Sequence, residues 1–534
     1  MIDTLMLSPI TGSHAITSRG REDTMFIGID TGHTNVKAVA FDSDWNDVAE
    51  YGIEAGMEHP AEDRHEIPID QRWGVTLECL DELRDRIEEH RADRRRADEG
   101  IEGIGLAGGG GGLYPLDANR EPFMNGIPLL DERGKGIIDR WKEDGTYEEI
   151  SAITGVPLPP GSALLSLRWL KENEPDRYDA IEHVLQLKDV VRYKLTGDLA
   201  LEISDATFSL TNHRTQEYDD DLFDLAGVAD KRDAFPELKP TSYEVAGHTT
   251  EEIRRETGIE AGVPVVTGAH DACANTLGVG AISEDIVTTA GGTWSLSTKV
   301  IDSPAVDLER WCCENFLERG TWMLEIATVT GTISLDWFVE EFCEPERRRA
   351  EGTDRTVWDL VEAEIADVDT NAVFHPFLFG NPYGYLYRDN ASGSFTGLRP
   401  GDGRMEMLRA VYEAIAFMHR WQVDLFDEAF DVEEVRFTGG AARSDFWAQM
   451  FADVMDTKVT LTAKDESGCF GAAMLAAIGV GEIAGLDETT ELVEIAEEYH
   501  PSDTDVDYDA KYEAFRKLTG PLETIWGEHY ALRS

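Results

Sequence analysis

The sequence predicts an α/β protein that is built from two similar halves. Strand candidates alternate with helical segments along most of the 534 residues, which is the pattern of an α/β fold. Residues 25–29 and 38–41 are β-rich runs on either side of a Gly/Thr turn, and they predict a hairpin. Residues 285–299 repeat this layout of strand, Gly-Thr turn and strand. The length suits two large domains, and the repeated hairpin predicts that the two are built alike.

The remaining elements follow from apolar spacing and turn residues. In chain order they are a surface helix over 76–98, a strand over 101–107 ahead of the glycine tract 108–112, a strand over 264–267 ahead of a helix through Leu277, a helix over 406–426, a strand over 435–438 and a helix over 444–455. The polar stretch 344–356 is predicted to be a surface loop.

Acidic side chains dominate the composition and exclude several classes of function. The chain carries 105 Asp and Glu against 48 Lys and Arg, a formal net charge of −57. Nucleic acid and anionic membrane surfaces both attract basic proteins, so we expect neither as a partner. No stretch approaches the roughly 20 apolar residues of a membrane span. We expect a cytoplasmic protein with reduced cysteines, from a halophile whose salt-rich cytoplasm screens the acidic charge.

The first candidate site is the turn of the first hairpin. The backbone N–H groups of Thr31, Gly32 and Thr34 and the side chain of Lys37 are donors for phosphate oxygens. Asp30 ends the strand and suits Mg²⁺, which prefers few carboxylates and keeps several waters. A plain hairpin turn with a capping Asp explains the same residues, and the motif alone does not separate the two interpretations.

Two further glycine turns follow strands in the second half. Gly292 and Thr293 lie in the second hairpin, and Gly439, Gly440 and Ala441 lie between a predicted strand and helix. Three such turns at strand ends suit a nucleotide with several phosphates and a purine over the last turn.

Asp271 is the candidate catalytic base. It follows a buried strand at a helix start, with His270 beside it. Phosphoryl transfer to an alcohol needs positioning, charge neutralisation and an acceptor for the hydroxyl proton. An N-cap Asp is an ordinary structural alternative, and both roles are compatible. The glycine tract 108–112 permits close approach of a small ligand to the backbone, or is simply a flexible loop.

These motifs occur in the order of a known family. From about residue 25 to residue 481 the chain resembles the FGGY family of carbohydrate kinases. The matching segments are 29–34 with Lys37, 195–197 with 204–206, Asp271, 393–398 with 406–407 and 410–413, and 439–444 with 471–473.

The resemblance implies a fold, a reaction and roles for residues. It implies two ribonuclease-H-like domains of the actin and sugar-kinase type around a cleft, and transfer of a phosphoryl group from Mg²⁺–ATP to a sugar or polyol. Asp271 would be the base and Asp30 the metal ligand. The nucleotide would be held by Thr31, Gly32, His33, Thr34, Lys37, Gly292, Thr293, Gly331, Gly439, Gly440, Ala441 and Ser444, and the sugar by Gly109, Gly110, Asp131 and Asp271. We predict a disordered extension over 1–24, an N-terminal domain over 25–278, a C-terminal domain over 279–500 and a helical extension over 501–534.

The substrate expected from the resemblance is a pentulose of the L-xylulose type. Two positions depart from the pattern, since His33 stands where Thr is usual and Gly109 where those relatives often carry His. A kinase for another short sugar or polyol, such as a tetritol, glycerol or ribulose, is the first alternative. A catalytically idle nucleotide or sugar sensor is the second, although the presence of both Asp30 and Asp271 argues against it. The sequence leaves the oligomeric state open, with a homodimer as one option.

Overall fold

The computed structural model describes residues 24–94, 100–381 and 390–530. Apart from Thr24, the predicted N-terminal extension lies outside these residues. The strands of the first half are β1 (Thr24–Thr31), β2 (Asn35–Asp42), β3 (Asp47–Glu54), β4 (Glu58–Ala61), β5 (Arg64–Glu66), β6 (Gly100–Gly108), β7 (Tyr114–Leu116), β8 (His183–Leu185), β9 (Leu201–Glu202), β10 (Thr211–Asn212), β11 (Glu217–Tyr218), β12 (Leu238–Lys239), β13 (Val245–His248), β14 (Pro264–Val266) and β15 (Ala269–His270). Its helices are α1 (Ile69–Arg94), α2 (Lys135–Asp144), α3 (Thr146–Thr154), α4 (Ala163–Asn173), α5 (Pro175–Ala180), α6 (Leu187–Thr196), α7 (Ile203–Ala206), α8 (Asp220–Ala226), α9 (Glu251–Thr257) and α10 (Asp271–Gly278).

The second half continues the same alternation. Its strands are β16 (Ile286–Gly291), β17 (Ser295–Ile301), β18 (Cys312–Asn315), β19 (Trp322–Thr328), β20 (Val373–His375), β21 (Ser394–Thr396), β22 (Glu434–Thr438), β23 (Lys458–Thr462) and β24 (Ile495–Tyr499). Its helices are α11 (Ile333–Phe342), α12 (Glu344–Ala350), α13 (Val357–Ile365), α14 (Arg404–Asp427), α15 (Asp445–Met455), α16 (Ser467–Gly479), α17 (Leu486–Thr489) and α18 (Tyr508–Tyr530).

Each half is organised around a seven-stranded sheet, and the two sheets share a plan. The first has the order β13-β14-β6-β1-β2-β3, with β15 also beside β6. The second has the order β18-β19-β17-β16-β22-β23-β24. In each, an antiparallel hairpin (β1–β2 and β16–β17) lies beside a parallel strand (β6 and β22). The prediction of an α/β protein with two similarly built halves is confirmed.

The strands of both hairpins end where the sequence places the glycine turns. β1 is buried along most of its length because Met25, Ile27 and Ile29 face one core while Phe26 faces another. A strand whose side chains pack into a core on both faces is held rigidly, so the residues at its carboxyl end have a defined position. Asp30 and Thr31 lie at that end, opposite Lys37 and Val36 of β2.

One predicted loop is a helix. Residues 344–356 include α12, whose first turn carries a proline and whose last turn carries Arg347, Arg348 and Arg349. Proline at the first helical position and basic residues near the carboxyl end both favour a helix. Arg404 of α14 also pairs with the buried Glu346 and holds α12 in place. The polar composition that indicated a loop is therefore that of a surface helix.

Helices α10 and α16 cross at the junction of the halves, and their approach depends on glycine. A Cβ on Gly471 would overlap the carbonyl oxygen of Ala274, and a Cβ on Gly278 would overlap that of Ser467. On its other side α16 packs on β1 and β6, where Gly28 and Gly105 leave the same kind of space. Side chains of both halves share one hydrophobic cluster here. The crossing brings the first turn of α16 against the last turn of α10, with Gly468 beside Asp30.

The C-terminal helix α18 belongs to the core of the second half. Phe515 and Trp526 are fully buried there. Within the described ranges, no helix combines the length and apolarity needed to cross a bilayer.

Candidate active site

Asp30 lies at the end of β1 in contact with the second half. Its Oδ1 atom is buried and receives no hydrogen bond from the described residues. Its Oδ2 atom lies next to Gly468 in the first turn of α16. Burial, followed by the charges of Asp271 and Glu466, raises the pKa of Asp30 to about 7, although Lys37 and His270 oppose the shift. A buried carboxylate without a donor is a favourable place for a cation.

Asp271 is the first residue of α10, whose N-cap is His270, so the N-cap role considered for Asp271 is wrong and its catalytic role stays a prediction. Its Oδ1 atom accepts from the backbone N–H of Ala272 at 2.7 Å and lies 3.0 Å from Nε2 of His270. The described residues donate no hydrogen bond to Oδ2, and the side chain is 41% exposed. Burial alone would raise the pKa of Asp271, but the charge and hydrogen bond of His270 lower it overall. The carboxylate is therefore ionised, fixed at one oxygen and accessible at the other.

The glycine tract after β6 makes room for two imidazole rings. A Cβ on Gly109 would lie 2.5 Å from Cε1 of His33, and one on Gly110 would overlap His270 and Phe208. Any larger residue at either position would displace a ring, so the tract is fitted to its neighbours. The structure thus brings together Gly109, Gly110, His33 and Asp271, four of the residues predicted for the site.

The first hairpin turn is held by a buried arginine that the sequence did not indicate. Arg72 of α1 donates to the carbonyl oxygens of Gly32, of His33 at 2.7 Å and of Ala55 at 3.2 Å. Burial lowers the pKa of His33 to about 4, helped by the charge of Arg72, so the ring is neutral. The Nε2 atom of His33 is buried and has no hydrogen-bond partner among the described residues. The hydrogen bonds that the Arg72 guanidinium forms with described residues all go to backbone carbonyl oxygens, which leaves no sequence signal for its role.

The glycine turns of the second half converge. The N–H of Thr332 donates to the carbonyl oxygen of Gly292 at 2.8 Å, and a Cβ on Gly331 would overlap that oxygen and crowd Thr293. Gly439 has φ 89° and would place a Cβ 3.0 Å from the carbonyl oxygen of Gly291. The predicted nucleotide residues Gly292, Thr293, Gly331, Gly439 and Ala441 therefore share one surface at the ends of β16 and β22.

Two other residues predicted to bind nucleotide lie beside that surface. Gly440 begins a short 3₁₀ helix and has open space where a Cβ would lie. Ser444 is the N-cap of α15, and its hydroxyl accepts from the N–H of Trp447 at 3.1 Å. In the structure this hydroxyl therefore serves as the cap of α15.

The first turn of α16 connects the glycine turns to Asp30. Thr438, which precedes Gly439, lies 3.4 Å from the hydroxyl of Ser467. Gly468 follows and contacts Asp30. Lys37 forms a 2.7 Å ion pair with Glu466 across the junction of the halves. Sequence reasoning missed Glu466 because it lies more than four hundred residues from its partner.

Asp131 is placed differently from the other predicted residues. It is fully buried, and its carboxylate lies 2.6 Å from Nε of Arg133 and accepts from the N–H of His65 at 2.8 Å. Arg133 in turn pairs with Glu66 at 2.8 Å. These contacts use much of the hydrogen-bond acceptor capacity of the Asp131 carboxylate. The contact of Asp131 with a polyol stays a prediction.

A buried network of charged side chains supports the segment that precedes Asp271. Lys188 of α6 lies within 3.1 Å of Asp189, Glu202 and Asp205, and all four side chains are fully buried. Glu202 accepts from the hydroxyl of Ser204 at 2.7 Å, and this hydroxyl accepts from the backbone N–H of His270 at 2.9 Å. The network fixes the backbone immediately before Asp271.

The two halves have matching sheets. The second half supplies the converging glycine turns, and the first supplies an accessible, ionised Asp. This arrangement defines a sugar kinase of the actin type. Family models agree in both halves. The N-terminal domain of the FGGY family of carbohydrate kinases matches residues 25–278, and its C-terminal domain matches residues 288–480. The chain therefore belongs to the FGGY family, whose carbohydrate kinases use ATP, and it is a sugar kinase.

Individual relatives support the same assignment. An L-xylulose/3-keto-L-gulonate kinase of Escherichia coli (strain K12) is 33% identical over 392 residues, which are 72% of this chain and 75% of that protein. A probable L-xylulose kinase of Pasteurella multocida (strain Pm70) is 28% identical and aligns over 94% of this chain and 99% of its own. The crystal structure of gluconate kinase from Lactobacillus acidophilus superimposes with a TM-score of 0.84 at 23% identity, covering 95% of this chain and 99% of that one. This last similarity concerns the fold alone.

Proposed function

We propose that this sugar kinase transfers the γ-phosphoryl group of ATP to a hydroxyl of a pentulose of the xylulose type. The observation that carries the proposal is the arrangement of Asp271, whose Oδ1 is fixed by His270 and whose Oδ2 receives no protein donor in the described structure. The names of the two L-xylulose kinases among the relatives support the choice of sugar.

The reaction requires one proton acceptor and a neutralised phosphate. The hydroxyl oxygen of the sugar forms a bond to the γ-phosphorus while the bond from that phosphorus to the bridging oxygen breaks, and ADP leaves. The hydroxyl proton passes to Oδ2 of Asp271. A carboxylate with a lowered pKa suits this role because the proton moves late in a loose transition state.

Asp30 fits a divalent ion. Its buried Oδ1 receives no hydrogen bond from the described residues, and Gly468 leaves space beside its Oδ2. We propose that Asp30 holds Mg²⁺ through water, since Mg²⁺ favours few carboxylates together with phosphate oxygens. When bound, the ion neutralises charge on the β- and γ-phosphates. Thr31, Gly32, Thr34 and Lys37 would complete the contacts on the first half, and the converged glycine turns would hold the rest of the nucleotide.

The glycine tract is the proposed floor of the sugar site. Gly109 and Gly110 are packed against His33 and His270, so the floor of the site consists of backbone and two imidazole edges. Such a floor offers polar atoms at close range to a short, hydroxyl-rich molecule. We propose that Gly109 and Gly110 contact the sugar through backbone atoms.

The test is a screen for ADP release in molar KCl. Candidate acceptors are L-xylulose, D-xylulose, ribulose, tetritols, glycerol, 3-keto-L-gulonate and gluconate. We expect a pentulose to give the highest kcat/KM. A higher value with a polyol or sugar acid would replace the proposed substrate, and no acceptor-dependent turnover would favour the idle sensor.

The same assay tests the base. Asp271→Asn should lower kcat by about 10² to 10⁴-fold, because general base catalysis is lost. Nucleotide binding, measured by calorimetry, should stay close to that of the native chain. Asp139→Asn on the exposed face of α2 is the matched control and should leave both quantities unchanged. Native-like turnover by Asp271→Asn would remove Asp271 from its proposed role.

A further inference from the structure

His270 lies between carboxylates from the two halves of the molecule. Its Nε2 atom is 3.0 Å from Oδ1 of Asp271, and its Nδ1 atom is 4.0 Å from Oε2 of Glu314 on β18. Its ring packs edge-to-face on Phe208 at 5.2 Å, and its backbone N–H is held by Ser204. His270 is 7% exposed and Glu314 is 1% exposed. The ring is therefore fixed on the side of Asp271, while its Nδ1 atom faces Glu314 and has no hydrogen-bond partner among the described residues.

The buried Glu314 has a second acid near it on the same sheet. Cys312 of β18 lies opposite Glu325 of β19, so Glu314 and the half-buried Glu325 lie on the same face, two residue pairs apart. Both carboxylate oxygens of Glu314 lack hydrogen-bond donors within the described ranges. Burial and the charge of Glu325 raise the pKa of Glu314. The charge of His270 opposes this shift, as expected for a ring that faces Glu314 across 4.0 Å.

The other charged and titratable groups near His270 are mostly acidic. They are Asp271 and Cys273 on α10, Glu314 on β18, Glu325 on β19, Asp205 on α7, Asp30 on β1 and the neutral His33. Burial alone would lower the pKa of His270, but the charge and hydrogen bond of Asp271 raise it well above its ordinary value. A neutral ring would leave the buried acids without a compensating charge.

We infer that His270 is a positioning residue: as an imidazolium that faces Glu314 of the second half, it fixes Oδ1 of Asp271 and directs Oδ2 to the sugar hydroxyl. The inference rests on the proposed function of Asp271. In the reaction the hydroxyl proton goes to Asp271, and His270 keeps both of its protons throughout. Because Glu314 lies on the second sheet, the base is aligned by contacts from both halves.

The kinetic test uses His270→Gln, whose amide keeps a donor near Asp271 but removes the positive charge. Without that charge, burial raises the pKa of Asp271. We expect the acid limb of kcat/KM to move to higher pH by about one unit or more, with activity partly recovered in alkaline buffer and KM for ATP unchanged. A uniform loss of activity at every pH would indicate a merely structural role and overturn the inference. His248→Gln, on the exposed edge of β13, is the matched control.

A second measurement does not depend on turnover. Imidazole ¹⁵N shifts of the full chain, with the His270 signals assigned by their loss in His270→Gln, report whether the ring is charged. We expect an imidazolium near neutral pH in the native protein and a lower pKa of His270 in Glu314→Gln. A neutral ring in the native protein, or no change in Glu314→Gln, would overturn the inference even if sugar turnover were absent. A charged ring without sugar turnover would count against the proposed substrate and leave this inference standing.

Discussion

At the scale of single residues, Gly109 shows how closely the site is fitted. A methyl group at this position would lie 2.5 Å from the ring of His33, and that ring borders the buried floor of the site. We expect Gly109→Ala to displace His33 and to lower kcat/KM for the sugar by up to about 100-fold, since small misplacements in a site cost this much. Steady-state kinetics with varied sugar and fixed ATP measure the effect.

Gly74 provides the control for this substitution. It lies in α1, where nothing would touch an added Cβ, so Gly74→Ala should retain activity and slightly stabilise the helix. Retained sugar kinetics in Gly109→Ala would show that His33 tolerates displacement, and the proposed contact between the glycine tract and the sugar would lose its support.

Some site residues could be predicted from the sequence and others could not. Asp30, Asp271 and the glycine turns lie at strand ends or helix starts, positions with a local signature that the sequence displays. Glu314, Glu466 and Arg72 act through partners distant in the chain, and only the folded arrangement of sheets brings them close. The ion pair of Asp131 with Arg133 is likewise visible only in the folded chain, and the contact of Asp131 with a polyol stays a prediction.

At the scale of elements, the crossing of α10 and α16 determines how the halves meet. Gly471 lies against the carbonyl oxygen of Ala274, so an added Cβ would force the helices apart. We expect Gly471→Ala to lower the free energy of unfolding by about 1 to 3 kcal/mol, as overpacking of a core does. Urea denaturation, followed by tryptophan fluorescence, measures the change.

A glycine in open space again serves as comparison. Gly136 of α2 has nothing within reach of a Cβ, so Gly136→Ala should be neutral or stabilising. Equal stability of Gly471→Ala and the native chain would mean that the helices separate without cost, and the junction would be looser than this packing indicates.

Secondary structure was predictable where apolar spacing was strong. The strands at 25–29 and 435–438 and the helix over 406–426 correspond to β1, β22 and α14 within a few residues. Helix α12 was missed because its polar face is stabilised by tertiary contacts such as Arg404 with Glu346. Periodicity alone does not contain that information.

At the scale of the whole molecule, the fold plan was predictable from the repeated hairpin, but the relation of the halves was not. The sequence shows that the hairpins over 25–41 and 285–299 share one layout, and the structure adds that α16 of the second half packs against β1 and β6 of the first. Small residues along α16 permit this contact. In the sequence, their spacing is also typical of an ordinary buried helix, so it does not predict the contact.

The last prediction concerns the charge of the whole chain. With a net charge of −57, acidic groups repel one another more strongly in the compact state than in the expanded unfolded chain. The Debye length falls from about 10 Å at 0.1 M salt to about 3 Å at 1 M, so KCl removes most of this repulsion. We expect the urea midpoint to rise steadily from about 0.1 M to about 1 M KCl and to level off once screening is complete. Betaine at matched osmolality is the control, because it stabilises by exclusion from the surface and leaves charge repulsion intact. Highest stability in dilute buffer, or equal gains from betaine and KCl, would show that the acidic surface is not what salt acts on.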